Sequence, residues 1–291
     1  MLTLPYVYGK IRPQTNINQK KKGESNMANE FELKKQICEI SKRIYDAGMV
    51  AAGDGSISVK LNDNEFLCTP TGVSKGFITS EHICKVDRDG KVIQLNGKIK
   101  PSSEIKKHMS IYKKRPDISA VIHAYPKYAT GFAIAGIPLT QPILAESIIS
   151  LGCVPVAEYG TSSEQTHEAV SKYLQFFDAV LLENNGALTY AENLLNAYHK
   201  MESVEFYANL LYISKQLGGQ KKLSQEQVQR LYEIRRQLGM KEKHPADLCL
   251  NAKGGKPSCH GCSGNCKQGG NSDLAADITR QVMARLGIIG R

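Results

Sequence analysis

The segment Lys100-Pro-Ser-Ser-Glu104 and the run Ser119-Ala-Val-Ile-His123 decide the fold and the chemistry of this chain. A Ser-Ser-Glu sequence at a helix start is suited to bind an anion, because free backbone N–H groups and hydroxyls point to the same place. Serine-rich helix starts are also common as simple caps. The apolar run predicts a buried strand, and the histidine at its end is either a ligand or a hydrogen-bonded structural residue. Both alternatives stay open on these residues alone.

Periodic segments on both sides of this stretch predict strands that alternate with helices. Apolar residues at helical spacing predict a helix over 29–49, and Asn62-Asp-Asn64 joins two short strands as a hairpin. A serine cap at Ser102 or Ser103 starts a helix through Tyr112, which puts Glu104 in its first turn and His108 one turn later. Further helices are predicted at 127–135, 164–176, 192–217 and 224–238, and further strands at 153–157 and 179–182. Together these elements predict one α/β domain over residues 27–240.

The composition is that of an ordinary globular protein. Of the 291 residues, 41% are hydrophobic and 23% are charged. No run approaches the 18 or so apolar residues of a membrane span, and the N-terminal residues given lack an apolar stretch long enough for a secretory signal, so a cytoplasmic location is expected. The net charge is +10. Residues 1–26 carry +4 of it, and most other charges are interspersed on predicted helices, so we expect no nucleic-acid partner.

The eight cysteines fall into two groups along the chain. Four scattered cysteines suit buried free thiols in a reducing cytosol: Cys38, Cys68, Cys84 and Cys153. Four others lie close together with ligand-like spacing: Cys249, Cys259, Cys262 and Cys266. This second group predicts a zinc or iron–sulfur site, and the alternative is a thiol-rich linker that binds no metal.

Both ends of the chain differ from the central domain. Residues 1–26 are polar and aperiodic, which indicates either disorder or a leader that precedes a true start at Met27. Residues 241–271 form a Cys/Gly/Lys-rich linker. Over 272–288, apolar residues spaced four apart predict an amphipathic helix that ends at Gly287. A helix that short needs a partner surface.

Six motifs occur in the order that is typical of one known family. They are Gly55-Ser-Ile-Ser-Val-Lys60, Thr69-Pro-Thr-Gly72, Pro101-Ser-Ser-Glu104, the run from Arg115-Pro-Asp to His123, Ala133-Ile-Ala-Gly-Ile-Pro138 and Leu182-Glu-Asn-Asn-Gly-Ala187. The chain therefore resembles the class II aldolase/adducin family, typified by L-fuculose-1-phosphate aldolase, over about residues 30–218. The resemblance implies a layered α/β fold with a mixed β-sheet flanked by helices.

The resemblance also assigns roles to residues. Glu104 would be the catalytic acid/base. His123 would be one ligand of Zn²⁺ or another divalent metal, whereas Tyr125 and Asn185 stand where the family has its other two histidine ligands. The substrate phosphate would be held by Ser56, which replaces the usual Asn, and by Thr71, Gly72, Ser102 and Ser103.

The function implied is retro-aldol cleavage of a deoxy-sugar phosphate, such as L-fuculose 1-phosphate, to dihydroxyacetone phosphate and an aldehyde. A tetramer, either homo- or hetero-oligomeric, is implied as well. Because two ligand positions are altered, the alternative is a catalytically degraded paralogue that binds a phosphosugar or assembles with active subunits. Activity would be rescued by His108 or Glu104 turning inward as a ligand, or by a harder ion that accepts the oxygens of Tyr125 and Asn185.

The C-terminal helix resembles the encapsulation peptides that direct enzymes into bacterial microcompartments. This similarity implies shell proteins as partners through residues 272–288 and a place in the compartment lumen. The alternative is a helix that packs within an oligomer.

Overall fold

An eight-stranded sheet forms the centre of the protein. A computed structural model describes residues 22–94, 97, 99–161, 163–240 and 243–245, with side chains from residue 29 except at 163 and 164. The strands are β1 (Ser56–Lys60), β2 (Glu65–Cys68), β3 (Cys84–Asp87), β4 (Val92–Gln94), β5 (Ala120–Ala124), β6 (Val156–Ala157), β7 (Ala179–Leu182) and β8 (Ala187–Ala191). Their order is β4-β3-β2-β1-β5-β8-β7-β6. All neighbours are antiparallel except β6 and β7, so the expected mixed sheet is confirmed.

Helices cover both faces of the sheet. They are α1 (Lys22–Asp46), α2 (Ile105–Lys114), α3 (Lys127–Ile134), α4 (Ala145–Ser150), α5 (Ser163–Ser171), α6 (Leu194–Gln216) and α7 (Gln225–Gln237). One core cluster joins α1, α3 and α6 to one face, and a second joins α2 and α5 to the other. Side chains alternate along β5, with Ile122 in the first cluster and Val121 in the second. His123 therefore points to the face that α2 covers.

Several predicted elements are confirmed. The β1–β2 hairpin pairs Lys60 with Phe66, β7 has the predicted bounds, and Ser224 caps α7 through a capping box with Gln227. The four scattered cysteines are free thiols, and Cys68 and Cys84 are buried as predicted, whereas Cys38 and Cys153 are only partly buried. None of the helices in the described part of the chain combines the length and apolar character that crossing a membrane requires.

Other predictions need correction. Helix α1 starts at Lys22 instead of residue 29, so the disorder expected over 1–26 does not hold for residues 22–26. Helix α2 starts at Ile105, with Glu104 at the N-cap position and no side-chain cap. Four elements were missed, namely β3, β4, β8 and α4. Residues 1–21, most of the predicted linker 241–271 with its four cysteines, and the predicted helix 272–288 lie outside the described residues.

Candidate functional site

Two loops that the sequence keeps apart meet beside the start of α2. Pro70 and Pro101 form an isolated antiparallel bridge. Thr71 N–H donates to the Lys100 carbonyl at 3.0 Å, and Ser102 N–H donates to the Thr69 carbonyl at 3.0 Å. This bridge brings together four of the predicted phosphate residues, of which Thr71, Gly72 and Ser103 are exposed and Ser102 is buried. Gly72 has a positive φ of 72°, and the space where a Cβ would lie is open.

The predicted phosphate contact Ser56 is placed differently. It is buried, and its hydroxyl is 3.0 Å from His108 Nε2. Ser58 Oγ lies 2.7 Å from His108 Nδ1 and 2.9 Å from the Tyr112 hydroxyl. Both ring nitrogens of His108 are therefore engaged, and burial holds its pKa well below the ordinary value. His108 is a neutral structural residue, so the prediction that it replaces a ligand is wrong, and a phosphate contact by Ser56 stays a prediction.

Glu104 projects from the N-cap position of α2 towards the end of β5. Its backbone N–H donates to Ser102 Oγ at 3.3 Å, and its Oε2 lies 3.5 Å from His123 Nδ1. About a third of its side chain is exposed. The structure thus brings the predicted acid/base and the predicted ligand together.

Lys107 completes this group, although no sequence pattern marks it as a site residue. It lies one turn after Glu104 on α2, is only 4% exposed, and forms an ion pair with Glu104 Oε2. Burial disfavours the charged carboxylate, but the charge that His123 carries when it is protonated and the charge of the Lys107 ammonium outweigh this effect, so the pKa of Glu104 lies below its ordinary value. Burial, with the charge of Lys107 second, lowers the pKa of His123 to about 4. His123 is therefore neutral at pH 7, and Lys107 is the neighbour that keeps Glu104 ionised.

Three buried atoms of this group have no hydrogen-bond partner of suitable geometry among the described residues. They are Glu104 Oε2, Lys107 Nζ and His123 Nδ1. Glu104 Oε2 and His123 Nδ1 are acceptors, and the Lys107 ammonium has three N–H donors, so the lysine could donate to both acceptors.

Tyr125 and Asn185, the two positions that depart from the family pattern, contact each other. Tyr125 donates from its hydroxyl to Asn185 Oδ1 at 2.8 Å, and His123 Nε2–H donates to the Asn185 carbonyl at 2.8 Å. The tight turn between β7 and β8 places Asn185 there. Asn184 and Gly186 adopt positive φ in this turn, and a Cβ at Gly186 would collide with the Ala124 carbonyl oxygen.

A second buried lysine stands near these groups. Lys75 is 1% exposed, and its Nζ donates to the Gly53 carbonyl at 3.2 Å. Burial lowers its pKa to about 8, an effect that the Asp54 carboxylate opposes. Sequence patterns did not identify Lys75, because its burial depends on the packing of the turn 75–77 against α1.

The side chains present do not fit a zinc ion of the kind that the resemblance implies. Catalytic zinc takes about three strong protein donors and an open position. His123 Nε2 carries a proton that points at a carbonyl, and the Asn185 amide oxygen is a weak donor already engaged by Tyr125. Burial and the Glu104 carboxylate raise the pKa of Tyr125 to about 12, so its phenol is not ionised. No group of three or more His, Cys, Asp or Glu side chains in the described ranges is arranged to hold a metal ion.

Known proteins resemble this chain over the same region. The family model for the "Class II Aldolase and Adducin N-terminal domain" matches residues 35–212. An L-fuculose phosphate aldolase of Methanococcus maripaludis is 31% identical over 182 residues, covering 62% of this chain and 97% of the relative. A 3-oxo-tetronate 4-phosphate decarboxylase of Haemophilus influenzae is 30% identical over 193 residues, covering 65% and 89%. The solved structure of an L-fuculose 1-phosphate aldolase superposes with a TM-score of 0.63 at 30% identity, covering 70% and 96%.

Proposed function

This chain belongs to the class II aldolase and adducin family, and from that membership we propose that it breaks a carbon–carbon bond next to the carbonyl of a small phosphorylated substrate. The leading substrate is a deoxy-sugar phosphate such as L-fuculose 1-phosphate, cleaved to dihydroxyacetone phosphate and an aldehyde. The bridge between Pro70 and Pro101 carries this proposal. It sets a cluster of exposed hydroxyl and backbone groups beside an ionised Glu104.

The loop groups are suited to a phosphate. Thr71 and Ser103 contribute hydroxyls, and the backbone at Gly72 is open to a ligand because no side chain covers it. Such a cluster at the start of a helix favours a dianion. A bound phosphate would orient the carbon skeleton towards Glu104.

Glu104 is the group proposed to move the proton. In the cleavage direction the carboxylate takes the proton of the hydroxyl that becomes the aldehyde. The carbon–carbon bond breaks, and its electron pair moves to the ketone oxygen to give an enolate. Glu104 then returns the same proton to the enolate carbon, so the step needs no further reactant. Decarboxylation of a 3-oxo acid passes through the same type of enolate, which is why both named relatives suit one scaffold.

The second candidate is a non-catalytic subunit that binds a phosphosugar or assembles with active partners. The hydrogen bond between Tyr125 and Asn185 favours it, because these two side chains satisfy each other where the family pattern has metal ligands. Both candidates would bind the substrate phosphate at the loop groups Thr71, Gly72 and Ser103, and only the first would convert the substrate to product.

Turnover and binding therefore separate them. Purified full-length protein would be mixed with L-fuculose 1-phosphate and with 3-oxo-tetronate 4-phosphate. Release of dihydroxyacetone phosphate or carbon dioxide would be followed, and affinity would be measured by calorimetry. We expect Glu104→Gln to lower kcat at least about 100-fold with little loss of affinity, whereas Glu226→Gln, in the exposed first turn of α7, changes neither. Binding without turnover would favour the non-catalytic subunit. If neither compound binds, the proposal that these loop groups bind a substrate phosphate is refuted.

The compartment assignment also stands as a proposal, and it rests on the sequence of residues 272–288 alone. We propose that this helix docks on shell proteins of a bacterial microcompartment and that the core forms tetramers. Deletion of 272–291 should release the protein from shell material. Unchanged co-purification would contradict the docking role.

A further inference from the structure

We propose that the ammonium group of Lys107 takes the place of a divalent metal ion in this site, supplying the positive charge beside Glu104 and His123 and excluding a metal from it. The exclusion of metal depends on the geometry and charge of the described residues and does not require the proposed function. The catalytic consequence, stabilisation of an enolate through this buried charge, rests on the proposed function.

The position of Lys107 is the first argument. Surface lysines keep their ammonium groups in water, but this one is buried on the face of α2 that packs against the sheet, together with His108. A buried ammonium is costly unless it is paired, and its partner here is the carboxylate predicted to do the chemistry. The pair therefore belongs to the candidate site and has no role on the surface.

The charge pattern is the second argument. His123 Nδ1 and Glu104 Oε2 lie 3.5 Å apart, and both are buried acceptors without a hydrogen bond from any described residue, so a donor that is also a cation suits both of them. Lys107 acts electrostatically on both of them and on His108 as well, lowering the pKa of each. A dication added to this group would be repelled by a unit charge already in contact with Glu104.

The closure of the other donors is the third argument. A metal at the family position would have to break the bond between Tyr125 and Asn185 and the bond from His123 Nε2 to the Asn185 carbonyl. Both bonds join the end of β5 to the turn between β7 and β8. The end of β5 and the turn between β7 and β8, which could surround a metal, are thus hydrogen-bonded directly to each other. The positive charge of the site comes instead from Lys107 on α2.

Zinc affinity tests the proposal without relying on activity. Every protein would be full length, with the four C-terminal cysteines changed to serine so that they do not bind zinc. Affinity would be measured by competition with a chelating dye. We expect no zinc binding at micromolar concentration in this background and measurable binding in Tyr125→His with Asn185→His. Adding Lys107→Met should tighten that binding at least about tenfold.

The matched control is Lys106→Met, because Lys106 lies exposed on the same helix and should leave zinc affinity unchanged. Stoichiometric zinc in the background protein would overturn the proposal. So would a triple variant that binds zinc no more tightly than the double variant.

A second measurement applies if the histidine variants fail to fold. In the protein with its natural Tyr125 and Asn185, turnover should be unaffected by a chelator, Lys107→Met should lower kcat at least about 100-fold, and Lys107→Arg should retain more activity than Lys107→Met. Loss of turnover on chelation would contradict the proposal. Failure of the proposed function gives a different result wherever the histidine variants fold, since turnover is then absent in every variant while the zinc affinities of those variants still depend on Lys107.

Discussion

Two buried charge clusters of this protein are built in opposite ways. Around Arg115, which is 4% exposed, the guanidinium donates to Asp117 at 2.8 and 2.7 Å, to Asp178 at 2.8 Å and to the Leu174 carbonyl at 2.7 Å. Lys200 donates to the second oxygen of Asp178 at 2.7 Å. Around Glu104, by contrast, Lys107 forms the ion pair, and three buried atoms of three residues lack a hydrogen bond of suitable geometry among the described residues.

The difference distinguishes buried polar groups that stabilise the fold from buried polar groups that serve a binding or catalytic site. The Arg115 cluster ties the end of α2 to the strand β7 and to α6, and its charges satisfy one another. Such a network stabilises one arrangement and offers little to a ligand. The Glu104 cluster holds one ion pair, between Glu104 and Lys107, but three of its buried atoms lack well-formed hydrogen bonds to any described residue at a place where the chain is partly open, which is typical of a site that must bind a ligand.

The largest effect on stability is expected at Arg115. Arg115→Met leaves Asp178 buried with Lys200 as its remaining cation, so we expect the free energy of unfolding to fall by about 3–5 kcal/mol. Urea denaturation followed by circular dichroism measures it. Arg88→Met is the control, since Arg88 is exposed and its loss should cost under about 0.5 kcal/mol. A similar small change at Arg115 would show that its cluster is not structural.

An intermediate effect is expected from acid. The pKa of His123 is about 4 in the folded protein, below its ordinary value near 6.5. Between these pH values the unfolded chain therefore binds a proton at His123 that the folded chain does not bind, which favours unfolding. The stability that the neutral His123 contributes is therefore fully present above pH 6.5 and is lost as the pH falls towards 4. In His123→Gln, whose amide can still donate to the Asn185 carbonyl, the loss of stability between pH 7 and pH 4.5 should shrink by up to about 3 kcal/mol.

Urea midpoints at the two pH values measure this. His244 serves as the comparison, because burial lowers its pKa as well, to about 3, and His244→Gln should shrink the acid loss without changing phosphosugar binding. An acid response of His123→Gln equal to that of the unmodified protein would mean that His123 is charged in the folded state.

The sequence predicts the frame of the site better than its electrostatics. Periodicity and turn residues locate the β1–β2 hairpin, β5 and β7, and the family motifs identify Glu104 and His123. The contact between Tyr125 and Asn185 could not be predicted, because it depends on the pairing of β5 with β8. The strand β8 was missed because its alanines and Thr189 give no alternating pattern.

Lys107 was missed for a related reason. The sequence Ile105-Lys-Lys107 has the appearance of an exposed helix start, and a Glu–Lys pair three residues apart is usually a surface pair. Which of two adjacent lysines is buried depends on how α2 packs on the sheet. The structure buries Lys107 and leaves Lys106 in water.

The smallest effect on stability is expected at Lys107 itself, and it tests the comparison most sharply. In Lys107→Met the buried ammonium is replaced by an apolar group of similar length, which relieves its desolvation penalty. The carboxylate left behind is about one third exposed and keeps part of its hydration. We therefore expect the urea midpoint to correspond to a change within about 1 kcal/mol of the unmodified protein, in either direction, whereas zinc affinity in the histidine background and turnover change strongly. A loss as large as that of Arg115→Met would place both clusters in the same structural class, and the distinction between them would fail.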